Sequence, residues 1–174
     1  MKILLEGRPG VGKTTVARRV AELLRHAGVA VSGFVTTEMR EDRRRVGFAI
    51  ETFDGKRGTL AHVDFRGPPR VGKYGVDLAA FERLALPALE PPRGGGVVVI
   101  DELGKMELAS ESFRNAVTAV LKRGSAVLAT VQLGRRPFSD EIKRRRDVEV
   151  LRVNERNRDE LPRELAQRLI IGRG

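Results

Sequence analysis

The chain has 174 residues, 41% of them hydrophobic, which suits one α/β domain with a single core. It contains no cysteine, which excludes disulfide bonds, zinc–thiolate sites and cysteine nucleophiles. No stretch approaches the roughly 18 apolar residues of a membrane span, and the N-terminal apolar run is too short for a signal peptide. We therefore expect a cytoplasmic protein without a membrane-spanning segment.

The net charge of +10 has three interpretations. A basic surplus neutralises nucleic-acid phosphates irrespective of their sequence, and the clusters Arg40–Arg45 and Lys143–Arg146 keep RNA or DNA binding open. A small polyanionic ligand could equally draw part of the surplus into one cleft. Because 32% of the residues are charged and most of the cations are arginine, ion-pair networks on a heat-stable surface are the third interpretation.

The first half of the chain begins with a strand, a turn and a helix. Residues 2–6 form a short apolar run, and the apolar residues of Thr14–His26 recur at helical spacing up to the stop at Gly28. Two segments rich in β-branched and aromatic residues, Val29–Thr37 and Val46–Phe53, predict two further strands.

The charged segment Glu38–Arg45 is predicted to be an exposed connection between these two strands. A third strand is expected at Gly58–Val63, after the turn signal Asp54-Gly55. Three consecutive strands do not make a βαβ unit, so an antiparallel insert at about residues 33–63 is expected on a parallel core.

The second half alternates helices and strands between glycine- and proline-rich loops. Val97–Ile100 is continuously apolar, which is typical of a buried parallel strand. No internal repeat or linker interrupts the chain, so residues 1–174 are predicted to form a single domain. The remaining predicted elements are helices Val76–Leu89, Ser110–Arg123 and Asp159–Leu169, and strands Ala126–Val131 and Val148–Val153.

A glycine-rich turn joins the first strand to the first helix and fits the pattern G-x-x-x-x-G-K-[ST] without a mismatch. It reads Gly7-Arg8-Pro9-Gly10-Val11-Gly12-Lys13-Thr14. Glycines allow positive φ angles, so that successive N–H groups and the helix N-terminus face a phosphate. Lys13 is predicted to reach the β- and γ-phosphates, and the Thr14 hydroxyl to ligate Mg²⁺. Thr15 would lie near the α-phosphate or cap the helix.

An Asp–Glu pair follows the apolar strand. Asp101 closes the run Val97–Ile100, and Glu102 comes next. Ligands bind at the carboxyl ends of strands in open α/β sheets, so Asp101 is predicted to hold Mg²⁺, directly or through water. Glu102 would orient and deprotonate the water that attacks the γ-phosphate. Glu102 and Lys13 are therefore the predicted catalytic residues, the alternative for Glu102 being a cap or an ion pair with an arginine.

Other polar residues have open roles. Thr130 and Gln132 would face the γ-phosphate if their strand lies between those that carry Lys13 and Asp101. A cation that stabilises the transition state could come from Arg135, Arg136 or Lys143–Arg146, although a solvated basic face is the alternative. Tyr74 would stack on a base or anchor a loop, and Asn157-Arg158-Asp159 would border the base.

The segment Asp101-Glu102-Leu103-Gly104-Lys105-Met106-Glu107-Leu108 closely resembles one family, the THEP1-like nucleoside-triphosphatases. The likeness continues in Gly33–Arg40, Arg45–Phe48, Lys73–Asp77 and Asn157–Asp159. It implies a three-layer P-loop fold with a RecA-like, mainly parallel sheet, helices on both faces and an added antiparallel insert. It also implies Mg²⁺-dependent hydrolysis of ATP, GTP, CTP, UTP and TTP with little base selectivity. The family's two nucleotide-binding segments fall on Gly7–Thr14 and on Val97, Val98, Val99, Ile100, Asp101, Glu102, Leu103 and Gly104.

Two other functions share this motif. A P-loop kinase of a small metabolite would have the same phosphate cradle together with an acceptor pocket. A nucleotide-dependent RNA- or DNA-binding ATPase would use the two basic clusters. The sequence does not settle the oligomeric state, a monomer being one option, nor the physiological substrate.

Overall fold

A computed structural model describes residues 1–172, which contain nine strands and five α-helices. The strands are β1 Lys2–Gly7, β2 Val31–Glu41, β3 Arg44–Thr52, β4 Arg57–His62, β5 Arg70–Val71, β6 Tyr74–Val76, β7 Val97–Asp101, β8 Ala126–Gln132 and β9 Glu149–Arg152. The helices are α1 Lys13–His26, α2 Leu78–Ala88, α3 Glu111–Lys122, α4 Pro137–Lys143 and α5 Leu161–Ile171, and a short 3₁₀ helix spans Glu107–Ala109.

The nine strands form one sheet in the order β5-β6-β4-β3-β2-β7-β8-β1-β9. The half from β2 to β9 is parallel, and the half from β2 to β5 is antiparallel. β8 lies between β7 and β1, which is the arrangement that Thr130 and Gln132 require in order to face both predicted segments. Gly7 pairs with Gln132, so the ends of β1 and β8 lie level with each other.

Helices cover both faces of the parallel half, which confirms the predicted three-layer α/β fold. Alternate residues of β1 and β7 enter two separate cores, as the period of two in a strand requires. Ile3 and Leu5 pack with α1 and α5, whereas Leu4 packs in the core that contains α2 and α3. In this second core the rings of Phe34, Phe81 and Phe113 contact one another with centroids 5.0–5.8 Å apart.

The connection predicted at Glu38–Arg45 is exposed as expected, but it is much shorter than predicted. β2 runs to Glu41, β3 begins at Arg44, and the turn consists of Asp42 and Arg43, with φ angles of 45° and 65°. Positive φ at both central residues is typical of the type I′ hairpin turn, whose backbone twist matches that of the flanking strands. Some of the charges on the hairpin are paired, because Glu38 accepts hydrogen bonds from both Arg40 and Arg45.

Four elements are absent from the sequence-based expectations: β5, β6, α4 and the 3₁₀ helix Glu107–Ala109. β5 and β6 have two and three residues, which is too short for a periodic pattern. α4 begins with Pro137 at its first turn in a segment dominated by charge. No helix within residues 1–172 is long and apolar enough to cross a membrane.

Candidate active site

The glycine-rich loop between β1 and α1 presents backbone N–H groups at the carboxyl edge of the sheet. Gly10 and Gly12 have φ angles of 77° and 110°, which a side chain rarely adopts. Gly12 caps α1 without a side-chain hydrogen bond, and the first turn of α1 carries no acidic residue. The free N–H groups and the positive end of the helix dipole therefore suit an anion.

The side chain of Lys13 lies folded across the loop and is buried. Its Nζ donates to the carbonyl oxygens of Gly7 at 3.2 Å and Arg8 at 3.3 Å. The same Nζ lies 3.7 Å from Oε2 of Glu102, so the two predicted catalytic residues form an ion pair. Thr15 is exposed at the start of α1, and Arg8, Pro9 and Gly10 form the exposed rim of the loop.

Asp101 is completely buried at the end of β7. Its Oδ1 accepts a hydrogen bond from the Thr130 hydroxyl at 2.6 Å, whereas its Oδ2 has no hydrogen-bond partner in the described chain. Burial raises the pKa of Asp101 to about 6, and the hydroxyls of Thr130 and Thr14 oppose that rise. A buried carboxylate oxygen without a partner is costly, and a cation bound to it would remove that cost.

These donors fit Mg²⁺. The free Oδ2 of Asp101 and the hydroxyl of Thr14 are oxygen ligands, and Mg²⁺ is commonly held by one or two protein oxygens together with substrate phosphates. Within residues 1–172 no group of three or more His, Cys, Asp and Glu side chains is arranged to hold a metal. A metal bound here would thus depend on the substrate for some of its ligands.

Glu102 is half-buried and held from two sides. Gln132 donates from Nε2 to Oε1 of Glu102 at 2.5 Å, while Oε2 faces Lys13. The backbone N–H of Leu103 donates to the carbonyl of Thr130 at 2.8 Å and fixes the chain after β7 to β8. The Asp101–Glu102 peptide bond is cis. Thr130 and Gln132 therefore act as the partners of Asp101 and Glu102.

The other residues of the segment Val97–Gly104 pack around Asp101 and Glu102. The side chains of Val97, Val98, Val99 and Ile100 are fully buried in the two cores, and Leu103 is buried with them. Gly104 is enclosed by acidic side chains, because a Cβ added there would lie 2.7 Å from Oε2 of Glu107 and 3.0 Å from Oε1 of Glu102.

Glu107 is a residue of the family motif, and the sequence offers it only as an alternative base to Glu102 and does not predict its burial. It is only 4% exposed at the start of the 3₁₀ helix. Burial and the nearby charge of Glu102 raise the pKa of Glu107 to about 8. One signal in the sequence could have indicated the burial of Glu107, because it is an acidic residue between two apolar ones, Met106 and Leu108. Both of these side chains pack on the core.

A cleft of about 480 Å³ opens beside the loop, at the carboxyl ends of β1 and β9. We call it the β9 cleft; it is lined by Arg8, Val11, Leu133, Arg152, Val153, Asn154, Glu155 and Arg156. Arg158 reaches the loop from the predicted Asn157-Arg158-Asp159 segment and donates to the carbonyl of Val11 at 3.3 Å. Asn157 instead binds the backbone of Arg152 and Asn154, which shapes the turn after β9.

Other candidates lie elsewhere or are already paired. Tyr74 belongs to β6 in the antiparallel half, where its hydroxyl accepts from Nε of Arg45 at 3.0 Å, so it anchors the insert. Lys143 is bound to Glu6 at 2.5 Å, and Arg145 is bound to Asp147. Arg135 is exposed after β8, and Arg136 lines a second pocket next to α4.

Comparisons with known proteins agree with this geometry. A family model described as NTPase matches residues 2–166. The chain is 45% identical to "Nucleoside-triphosphatase THEP1" of Thermotoga sp. (strain RQ2), covering 100% of this chain and 98% of the relative. It is 43% identical to the human "Cancer-related nucleoside-triphosphatase", covering 91% of each chain.

Two solved structures have the same architecture. The crystal structure of THEP1 from Aquifex aeolicus superposes with a TM-score of 0.86 at 35% identity, covering 97% of this chain and 99% of the other. The solution structure of the human cancer-related nucleoside triphosphatase gives 0.83 at 41% identity, covering 95% of each. The chain therefore belongs to the NTPase family of THEP1-like nucleoside-triphosphatases, as its sequence motifs predict.

Proposed function

We propose that this nucleoside-triphosphatase hydrolyses ATP, GTP, CTP, UTP and TTP to the diphosphate and inorganic phosphate with Mg²⁺. The observation that carries the proposal is the position of Glu102, held between Gln132 and Lys13 directly after the buried Asp101. A carboxylate at the edge of the sheet beside a phosphate-binding loop is suited to activate water, because it can accept the water's proton.

The loop and Asp101 bind the triphosphate. The N–H groups of Gly7–Thr14 surround the phosphate chain, and Lys13 exchanges its carbonyl contacts for the β- and γ-phosphate oxygens. Thr14 and the free oxygen of Asp101 would hold Mg²⁺, which would supply positive charge to offset that of the phosphate oxygens. Thr130 keeps the other oxygen of Asp101 engaged, so the carboxylate cannot rotate freely.

Glu102 directs the chemical step. One of its oxygens is fixed by Gln132, which leaves the second oxygen to accept a proton from water. The water oxygen forms a bond to the γ-phosphorus, the bond from that phosphorus to the bridging oxygen breaks, and the proton passes to Glu102. Lys13 offsets the negative charge on the phosphate oxygens in the transition state.

Base selectivity should be low because the four charged side chains of the β9 cleft are exposed and are not fixed in position against a base edge; they are Arg8, Arg152, Glu155 and Arg156. The side chain of Asn154 accepts from the backbone of Arg156 and Asn157 and is therefore occupied. Val11 and Leu133 offer apolar surface that any base can cover. A contact of this kind is worth about 1–3 kcal/mol; imperfect contacts lie at the low end, and because about 1.4 kcal/mol is tenfold, kcat/KM values should lie within about tenfold of each other.

The test is phosphate release from all five triphosphates, with and without Mg²⁺, by the unmodified protein and by Glu102→Gln. Loss of a general base costs about 10²–10⁴-fold, so turnover should fall by that factor while triphosphate binding survives. Lys13→Ala should lose binding and turnover together. The exposed acid Glu90 offers a matched control, since Glu90→Gln should hydrolyse normally. Unchanged turnover by Glu102→Gln would place the base elsewhere.

A further inference from the structure

A second pocket lies on the other side of the site, against α4. This α4 pocket has a volume of about 560 Å³ and is lined by Lys105, Leu108, Ala109, Arg114, Arg136, Pro137, Phe138 and Glu141. None of these residues lines the β9 cleft. Its volume is within the range of about 300–1,000 Å³ that small-molecule sites occupy.

The position of the pocket separates it from the bound triphosphate. Lys105 follows the end of β7 and Arg136 follows the end of β8, whereas the β9 cleft lies at the ends of β1 and β9. A triphosphate that runs from the loop into the β9 cleft leaves the α4 pocket open. The pocket nevertheless is lined by residues that closely follow Glu102 and its partner Gln132 in the chain.

The charges around the pocket are unbalanced. Three cations, Lys105, Arg114 and Arg136, surround one acid, Glu141, and none of the three is in an ion pair with another residue of the described chain. Many arginines elsewhere are paired, as Arg18 is with Glu51. Nε of Arg136 is buried and has no hydrogen-bond partner within residues 1–172, which is uncommon for a buried donor.

One of these cations is already oriented. Arg114 donates from Nη1 to the carbonyl of Leu108 at 2.5 Å, which fixes its guanidinium beside the 3₁₀ helix. A preoriented guanidinium binds a phosphate with less loss of side-chain entropy than a free one. Leu108, Pro137 and Phe138 add apolar surface on the same pocket, and an aromatic ring can stack on a flat ring.

We propose that the α4 pocket binds a second ligand, a nucleoside monophosphate, whose phosphate contacts Lys105 and Arg114 while its base lies against Leu108 and Phe138. The ligand needs one phosphate for the cations and one flat apolar ring for the other wall. Inorganic phosphate alone would contact only the cations, and a nucleoside alone would contact only the apolar wall. Occupancy places the ligand next to the γ-phosphate side of the active site.

Calorimetric titration of the full-length protein tests this site. The protein is first saturated with Mg²⁺ and a non-hydrolysable triphosphate analogue, which fills the loop and the β9 cleft, and is then titrated with adenosine monophosphate. One further equivalent should bind. Adenosine and inorganic phosphate, titrated separately, should each bind at least about tenfold more weakly, because a hydrogen bond to a charged group accounts for roughly that factor.

Two variants and one control locate the binding. Lys105→Gln and Arg114→Gln should each weaken monophosphate binding by about tenfold or more while leaving affinity for the triphosphate analogue unchanged. Lys105 is exposed and makes no hydrogen bond through its side chain in the described chain, so its variant should fold even if Arg114→Gln does not. Arg93, an exposed arginine before β7, serves as the control, and Arg93→Gln should bind normally.

Three results would overturn the proposal: no second equivalent, binding that both variants retain, or inorganic phosphate binding as tightly as the monophosphate. The readout is binding rather than turnover. A failure of the hydrolytic mechanism, seen as normal turnover by Glu102→Gln, is therefore a separate result.

Discussion

Glu107 imposes a cost on the folded protein at neutral pH. Burial raises its pKa from 4.5 to about 8, so the native state keeps a proton that the unfolded chain releases at lower pH. A native state that binds more protons loses stability as pH rises. The free energy of unfolding should therefore fall between about pH 4.5 and 8, by at most about 1.4 kcal/mol per pH unit from this residue.

Glu107→Gln should remove most of the pH dependence between about pH 6 and 8. Glutamine keeps the shape of the side chain and cannot ionise, so the variant should be the more stable protein at pH 8. Asp101, whose pKa is about 6, still contributes below that pH. Urea unfolding without Mg²⁺ or nucleotide, with the exposed Glu111→Gln as control, measures the effect. An unchanged slope above pH 6 would mean that Glu107 is ionised in the native state.

The residues proposed to act directly could be predicted from the sequence, whereas the contacts that hold them in place could be predicted only in part. Motif spacing predicts four of the site residues, because each motif places its residues at the carboxyl edge of the sheet. These residues are Lys13, Thr14, Asp101 and Glu102. Gln132 could be placed only conditionally, since its role depends on the strand order, which sequence spacing does not contain. The buried state of Glu107 depends on how the 3₁₀ helix packs against Gly104.

At the scale of elements, the β2–β3 hairpin contains a strained turn. Asp42 and Arg43 both have positive φ, although neither is glycine. Such a backbone costs a residue with a side chain roughly 1–2 kcal/mol, and glycine adopts it freely. The charge pattern of Glu38–Arg45 suggested a loop, and the two-residue turn lacks the glycine that normally indicates a hairpin.

Arg43→Gly should therefore stabilise the protein by about 0.5–1 kcal/mol. The neighbouring Arg44 provides the matched control, because Arg44→Gly makes the same charge change within β3. Glycine in a strand costs about 0.5–1 kcal/mol, so the two variants should change stability in opposite directions. Chemical denaturation measures the free energy of unfolding of both variants. A lower value for Arg43→Gly than for the unmodified protein would contradict the positive φ at this turn position.

At the scale of the molecule, ligand binding at the sheet edge should stabilise the whole fold. A ligand at 100 times its Kd adds about 2.7 kcal/mol, and each kcal/mol raises Tm by about 2–4 °C in a protein of this size. A non-hydrolysable triphosphate with Mg²⁺ should thus raise Tm by about 5–10 °C. Thermal scans with the metal chelated should show a smaller rise, and scans of Lys13→Ala almost none. An equal rise without Mg²⁺ would argue against the role of Asp101.

The main architecture was predictable because apolar residues recur with different spacing in buried strands and in amphipathic helices. The parallel strands and the helices α1, α2, α3 and α5 appear within a few residues of their expected positions. Strand order and the short elements were not predictable, since they depend on contacts between distant segments. The helix α4, for example, contacts β1 through the ion pair of Lys143 and Glu6, which are far apart in the sequence.

The strand β2 changes its partners along its length. From Val31 to Val35 it runs parallel to β7, and from Phe34 to Glu41 it runs antiparallel to β3. The strand β2 therefore belongs to both the parallel and the antiparallel half of the sheet, and the two halves cannot be separated without dividing it. Excising the insert would expose the edge of β7, the strand that carries Asp101. The antiparallel half thus covers this edge of the parallel sheet.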